Sequence, residues 1–156
     1  MSLLADSYAN VDVLHGWSPG EDAGIARSLP YSAPGGVPVG LRPGMIMVVN
    51  SSGEFALPAT PVASGIQAVY FCVQGTQTGE YDTAFTEKAV GLRGALTVKT
   101  DQFVTTSIAV GCSVTFNNAG QIIFLAAANT APASALQRIG TVTEVTTSYI
   151  VVELAL

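Results

Sequence analysis

The alternation of apolar and polar residues toward the C-terminal end of the chain predicts four short strands. The runs CSVTF, QIIFLA, RIGTVTEV and YIVVEL all lie between Gly111 and Leu156. Each is rich in Val, Ile, Thr or Phe, is bounded by turn-forming residues, and is too short for an amphipathic helix. Earlier apolar runs continue the pattern at Met45 to Val49, Ala68 to Val73, Leu92 to Val98 and Phe103 to Val110. We therefore expect an all-β fold, a small antiparallel barrel-like or sandwich-like domain.

Two segments of the chain, residues 44–59 and 111–126, align with each other without a gap. The identical pairs are Gly44/Gly111, Asn50/Asn117, Gly53/Gly120 and Ala59/Ala126. Each segment reads as a hairpin in which Asn opens the turn and Gly closes it with a positive φ. The two hairpins are either copies of a duplicated unit or two instances of common turn chemistry, because Asn and Gly are the usual residues at such turns.

The strand pattern also predicts which residues form the core. Alternate apolar residues on both sides of each turn are expected to face a single core. The expected core residues are Met47, Val49, Phe55, Leu57, Val69, Phe71, Val114, Phe116, Ile122, Phe124, Val142, Ile150 and Val152.

Residues 1–43 differ from the β-domain expected over residues 44–156. Their high content of Pro and Gly disfavours helix and sheet and predicts an extended N-terminal arm or a set of loops. The arm nevertheless carries too many large apolar side chains for a solvated tail. We expect it to pack either on its own domain or on a neighbouring subunit. Its candidate interaction residues are Tyr8, Val11, Leu14, Trp17, Leu29 and Tyr31.

Composition excludes several classes of partner. Hydrophobic residues make up 49% of the 156 residues, but no apolar run approaches the roughly 18 residues of a membrane span. The formal net charge is −5 and no basic cluster is present, so we expect neither a membrane nor a nucleic-acid partner. The N-terminal residues lack the pattern of a secretory signal. The chain is therefore expected to remain in the compartment where it is made.

The distribution of charge is more informative than its total. Charged residues make up 11% of the chain, against roughly 25% in typical soluble domains, and none occurs from Phe55 to Gly79 or from Phe103 to Gln137. One interpretation is a neutral surface that a stable β-protein tolerates. The other is a surface covered by other protein chains, because depletion of charge distinguishes the centre of an interface from ordinary surface.

Candidate chemistry is sparse. Cys72 and Cys112 lie within predicted strands, where buried free thiols are ordinary. The carboxylates between Gly75 and Val90 do not have the spacing of a Ca²⁺ loop and are expected to be a solvated acidic loop. His15 is the only histidine, and no Gly-x-Ser-x-Gly motif presents a nucleophile. We therefore expect no catalytic, cofactor-binding or metal-binding residues, and a protein that is not an enzyme.

Three phrases of the sequence together resemble a known family. They are LRPGMIMVVNSSGEF, GLRGALTV and the ending RIGTVTEVTTSYIVVEL, preceded by the Pro/Gly-rich segment. Over roughly Leu41 to Leu156 the chain resembles the head decoration, or capsid cement, proteins of tailed bacteriophages. The resemblance implies a small β-domain that binds the outer surface of a capsid and bridges neighbouring capsid subunits without catalysis.

The resemblance also implies partners and a location. The expected partners are the major capsid protein and further copies of this chain, as a homotrimer or alternatively a dimer. The expected location is the capsid surface of the virion, after synthesis in the host cytoplasm. An alternative function is a carbohydrate- or receptor-binding β-module of a phage tail or fibre, which would use exposed aromatic side chains. Those available are Trp17, Tyr31, Tyr81 and Tyr149.

Overall fold

A computed structural model describes residues 10–15, 24–30, 41–58, 68–75, 88–125 and 138–156 of the chain. These residues form ten strands and no helix, joined by antiparallel pairing into a curled half-barrel, which confirms the all-β fold. The strands are β1 (Asp12–His15), β2 (Gly24–Pro30), β3 (Ile46–Val49), β4 (Phe55–Ala56), β5 (Val69–Gln74), β6 (Lys88–Thr100), β7 (Ser113–Phe116), β8 (Ile122–Phe124), β9 (Gly140–Val145) and β10 (Ile150–Ala155).

The long strand β6 holds the sheet together. Its N-terminal half, residues 88–94, pairs with β2 and β5, and its C-terminal half, residues 95–100, pairs with β1 and β10. The two halves meet at Gly94, whose φ of 135° is in the region that favours glycine. The longest path through the sheet is β4-β3-β5-β6-β10-β9-β7-β8. Counted outward from the β6–β10 pair, the strands are β6-β5-β3-β4 on one side and β10-β9-β7-β8 on the other, so the two sides have the same strand order.

The two hairpin turns form the same hydrogen bonds. Oδ1 of Asn50 accepts hydrogen bonds from the amides two and four residues later at 2.9 and 3.0 Å. Oδ1 of Asn117 accepts the equivalent pair, both at 3.0 Å. Gly53 and Gly120 each donate to the carbonyl of their own Asn at 3.0 Å, with φ of 77° and 74°. The expected positive φ at both glycines is confirmed.

The correspondence continues into the following strands. The amide of Gly44 (φ 91°) donates to the carbonyl of Cys72 at 2.8 Å, and that of Gly111 (φ 87°) donates to Val142 at 2.8 Å. In return, the amides of Cys72 and Val142 donate to the carbonyls of the residues that follow the two glycines, at 2.8 and 3.0 Å.

A register shift occurs at the same place in both halves. The pairing of β5 with β6 passes over Val73, and the pairing of β9 with β10 passes over Thr143. The residues just before these bulges pair with Gly91 and Val152 respectively. The chain therefore contains two equivalent four-stranded units. The first unit is β3, β4, β5 and residues 88–94 of β6, and the second unit is β7, β8, β9 and β10.

Buried apolar side chains form two clusters rather than the single core expected from the sequence. The main core lies inside the curl of the sheet and includes Val11, Val13, Ile46, Val48, Val69, Phe71, Val73, Leu92, Leu96, Val98, Val114, Phe116, Ile122, Ile139, Val142, Ile150, Val152 and Leu154. The second cluster consists of Leu41, Met47, Phe55, Tyr70, Cys72 and Ala89, with Leu29, Met45, Val49, Leu57 and Ala68 packed against it.

The expectation that residues 47, 49, 55 and 57 share a core with Val114 and Phe116 is therefore wrong. In β3 the main core receives Ile46 and Val48 instead, and the alternating residues face the second cluster. The first unit is apolar on both faces, so alternation of apolar and polar residues cannot indicate which face is turned inward. Phe124 is only half-buried and belongs to neither cluster.

The equivalent faces of the two units have different surroundings. The main-core residues Val114, Phe116, Ile122 and Val142 correspond to Met47, Val49, Phe55 and Cys72 of the first unit, which lie in or against the second cluster. Conversely, the main-core residues Ile46, Val48, Phe71 and Leu92 correspond to Ser113, Thr115, Thr141 and Glu153, on the opposite face of the second unit. In the main core, each unit thus contributes the face that is equivalent to the outer face of the other unit.

Two strands lie within the segment predicted to be an arm or loops. β1 pairs with the C-terminal half of β6, and β2 pairs with its N-terminal half. Val11 and Val13 are buried in the main core, with 1% and 8% of their surface exposed. These strands were not predicted because Pro and Gly are frequent around them, yet β1 contains neither residue and β2 contains them only at its ends, as Gly24 and Pro30.

A strand predicted at Phe103 to Val110 is not formed. Phe103 makes one isolated bridge to Ile122, and the following residues form a turn in which Ser107 has a φ of 61°. β-branched residues favour a strand only where a neighbouring strand can pair with them, and here the segment lies at the outside of the fold.

Candidate interaction surface

The structure distributes the candidate interaction residues of the N-terminal segment among different environments. Val11 is buried in the main core of its own chain, and Leu29 is half-buried against the second cluster. Leu14, on the outward face of β1, is 51% exposed. Tyr8, Trp17 and Tyr31 lie outside the described residues. Of the described members of this set, only Leu14 presents a large exposed apolar surface that another chain could contact.

Residues 105–111, in the loop after β6, are uncharged and mostly exposed. Residues 105–107 and 109–111 are exposed, and Val110, with 66% of its surface accessible, is the most exposed large apolar residue among those described. The amide of Gly111 anchors the end of this loop through its hydrogen bond to Val142 at 2.8 Å. Part of the charge-free stretch seen in the sequence is therefore true surface rather than core. We refer to residues 105–111 as the neutral loop.

The outward face of β6, β9 and β10 is charged, in contrast to the neutral loop. Val151 on this face pairs with Lys99 on one side and with Glu144 on the other. Tyr149 connects the two charges: Lys99 Nζ lies 4.4 Å from its ring centroid, and its hydroxyl donates to Glu144 Oε1 at 2.9 Å. This network covers Val151, which is only 6% exposed.

The contacts of this network favour the protonated, neutral form of Tyr149. The hydrogen bond to Glu144 and the negative charge of that carboxylate, with a smaller effect of burial, raise the pKa of Tyr149 above its usual value of 10.0. The ring is therefore neutral, and the Lys99 ammonium lies over its face. That contact occupies one of the two ring faces on which a sugar could stack.

A shallow depression of about 470 Å³ lies where β6, β9 and β10 meet. Its lining includes the small residues Ala95 and Ala155 and the opposite charges of Arg138 and Glu153. Nη2 of Arg138 donates to Thr141 Oγ1 at 2.8 Å, which orients the guanidinium along the rim. Among the described residues that line the depression there is no cysteine or histidine, and Glu153 supplies the one side-chain carboxylate.

The part of the chain that the structure describes contains no group of side chains suited to bind a metal ion. Within it, no three His, Cys, Asp or Glu side chains converge as a metal ion would require. The side chain of His15 is outside what is described. The thiol of Cys72 is buried and that of Cys112 is half-buried, and the two are not joined by a disulfide.

Strand β2 forms a second exposed region. Ile25 is 59% exposed, and residues 26–28 are exposed as well, so both faces of the strand contact solvent. This strand was not predicted, although the run GIARSLP, bounded by Gly and Pro, carries a strand signal.

Comparison of the chain with known protein families, with curated proteins and with solved structures finds no match. No helix long and apolar enough to cross a membrane occurs in the described ranges.

Proposed function

We propose that this chain is a capsid decoration protein of a tailed bacteriophage, which binds the outer surface of the capsid lattice and stabilises it by bridging neighbouring capsid subunits. The proposal includes a homotrimeric assembly, with a dimer as the alternative. The observation that carries it is the neutral loop, an exposed surface without charge that includes the apolar Val110.

The chemistry of the neutral loop suits contact with another protein. Burying Ser, Thr, Ala and Val costs less desolvation free energy than burying Lys or Glu, so such a surface can be covered without ion pairs to compensate. Charge depletion at the centre of a patch is also what distinguishes interfaces from ordinary surface.

A rigid β-scaffold also suits a decoration protein. The Gly111 amide ties the neutral loop to the sheet through the Val142 carbonyl, and within the turn the Cys112 amide donates to the Ala109 carbonyl at 3.1 Å. A surface that is held in place loses little conformational entropy on binding. In a trimer, three such surfaces would engage the lattice together, and multivalency would strengthen weak single contacts.

The test is cosedimentation of the purified chain with empty shells assembled from the major capsid protein of the same phage. We expect saturable binding at a fixed ratio to capsid subunits, and shells that dissociate at a higher temperature when decorated. Val110→Lys should weaken binding about tenfold, because it introduces a charge at the interface. Ser52→Lys, which adds the same charge at an exposed turn of the first unit, should leave binding unchanged.

A chain that stays in the supernatant at every shell concentration would contradict the proposal. Specific binding of such a chain to a glycan array would instead favour the alternative, a carbohydrate- or receptor-binding module of a tail or fibre.

A further inference from the structure

Strand β2 lies at the end of its sheet with one edge unpaired among the described strands. Residues 90–92 of β6 pair with both β2 and β5, so these two strands lie on opposite edges of β6. Beyond β2 the structure describes no further strand. An edge strand presents backbone N–H and C=O groups in a row, which is a template for another strand.

The equivalence of the two units shows that one strand position, next to β2, has no described strand. In the second unit, β10 pairs with residues 95–100 of β6, and the other edge of that segment pairs with β1. In the first unit, residues 88–94 of β6 take the place of β10, and β2 takes the place of residues 95–100. The place that β1 fills beside the second unit therefore has no described counterpart beside β2.

The charged residues described on β2 and the adjacent half of β6 are all positive, although the protein as a whole is acidic. Three of the six Lys and Arg residues of the chain, Arg27, Lys88 and Arg93, lie on β2 and the adjacent half of β6, and neither segment contains Asp or Glu. Arg27 is exposed, and Arg93 lies 6.0 Å from the centroid of Tyr70. The ion pair found among the described residues joins Arg42 to Asp101 at 3.8 Å, away from β2.

We propose that the free edge of β2 is a docking site for an acidic extended segment of a partner protein, which adds a strand to the sheet. The backbone groups of β2 would supply hydrogen bonds, and the guanidinium of Arg27 would select carboxylate side chains. Exposed Ile25 and half-buried Leu29 flank Arg27 on the same face, where the methylene groups of the incoming acidic side chains can lie against them.

A second copy of this chain is a poorer occupant of the same edge. Two-fold antiparallel pairing of β2 with β2 would bring two cationic strands together, and centred pairing would place Arg27 beside its counterpart. Like charges opposite each other destabilise a strand pair. The acidic partner removes that repulsion.

The test uses the full chain and two synthetic peptides as probes. TEVEVET carries carboxylates on alternate residues, and TKVKVKT is its basic counterpart. We expect the acidic peptide to bind and the basic peptide to bind at least about tenfold more weakly, with affinity for the acidic one falling as salt is raised. Hydrogen exchange should show new protection at those amides of residues 24–29 that point away from β6.

Matched variants then assign the binding to the edge of β2. Arg27→Glu should weaken the acidic peptide about tenfold and improve the basic one, and Arg27→Gln should have an intermediate effect. Arg138→Glu makes the same charge reversal at an exposed site of the second unit and should change affinity less than about twofold. Thermal melting of each variant confirms that the exposed substitutions leave the fold intact.

The inference is overturned if the acidic peptide shows no preference, if Arg27→Glu binds it equally well, or if protection appears elsewhere than β2. It is also overturned if the chain alone dimerises with protection of β2, which would make a second copy the occupant.

The inference depends on the proposed function only for the identity of the partner. Peptide binding without shell binding would refute the capsid role and leave the docking edge standing. Shell binding that is insensitive to Arg27→Glu would refute the docking edge as the capsid contact and leave the capsid role standing.

Discussion

The amide of Ile46 donates a hydrogen bond of 2.7 Å to the carbonyl of Gly120. This bond joins the start of β3 in the first unit to the turn of the second unit. A Cβ added to Gly120 would lie 2.6 Å from the carbonyl oxygen of Ile46, whereas one added to Gly53, the equivalent glycine, would meet nothing within 4 Å. The two turns are alike in their hydrogen bonds and different in what surrounds them.

This difference predicts unequal effects of the same substitution. Gly53→Ala should cost only the strain of a positive φ, about 1–2 kcal/mol. Gly120→Ala should cost about 3 kcal/mol or more, because the added methyl also displaces the backbone of β3. Urea unfolding of the two variants measures both values. Equal losses of unfolding free energy would mean that β3 moves away from the added methyl group without destabilising the fold.

The second prediction concerns the N-terminal segment. Val11→Asp should lower the free energy of unfolding by more than about 3 kcal/mol, because it places a charge in the main core. Leu14→Asp, three residues later and exposed, should change it by less than about 0.5 kcal/mol. Thermal or urea denaturation of the isolated chain tests the pair. A harmless Val11→Asp would indicate that β1 does not belong to its own domain in solution.

The third prediction concerns two buried threonines. The hydroxyl of Thr115 is buried without a hydrogen-bond partner, whereas that of Thr100 donates to the Gly44 carbonyl at 2.9 Å and accepts from the Gln102 amide at 3.0 Å. Thr115→Val should therefore be neutral or stabilise by up to about 1 kcal/mol, and Thr100→Val should destabilise by about 1–3 kcal/mol. Urea unfolding compares the two, and a reversed order would contradict the hydrogen-bond assignment.

The fourth prediction follows from the raised pKa of Tyr149. Absorbance titration of the folded chain, taken as the difference from Tyr149→Phe, should place this tyrosine above the usual 10.0. Glu144→Gln removes the negative charge and should move the midpoint back toward the usual value. A midpoint unchanged by Glu144→Gln would show that the hydrogen bond to Glu144 is not formed in solution.

The same shift determines how stability depends on pH. A raised pKa means that the folded state holds its proton more tightly than the unfolded state. The contribution of Tyr149 to stability is therefore fully present below pH 10 and is lost as the pH rises through the folded-state pKa. In Tyr149→Phe this part of the alkaline loss should disappear.

The sequence predicts the second unit better than the rest of the fold. β7, β8 and β9 lie within three of the four runs identified in the sequence, and β10 extends one residue beyond the fourth. The runs are recognisable because this unit has one apolar and one polar face, as at Val114 and Thr115. In the first unit both faces are apolar, so Met47 and Val48 give no indication of which points inward. Which face of the first unit points inward depends on how the second unit packs against it, and this tertiary contact is not encoded in the local pattern of residues.

The candidate interaction surface was predicted only in part. The absence of charge around the neutral loop is visible in the sequence, but the exposure of Val110 depends on the failure of residues 103–110 to find a pairing strand. The sequence does not identify Val11 as a core residue, because composition cannot separate an apolar side chain that contacts a neighbour from one that fills its own core. The edge of β2 was missed because an unpaired edge depends on which strands lie beside β2 in the described part of the structure, and the sequence does not show this.

Because the two units contribute non-equivalent faces to the main core, a fragment that contains only one unit cannot replace the whole chain. Two identical chains related by a two-fold axis present the same patch to each other, so their interface is isologous. The main core is heterologous, since Ile46 and Phe71 on one side meet Val114 and Val142, which occupy non-equivalent positions, on the other. A half-length chain carrying only the second unit would have to bury Glu153 where the intact chain buries Leu92. Such a fragment could not rebuild this molecule by dimerising, even though the backbone of each half repeats the other.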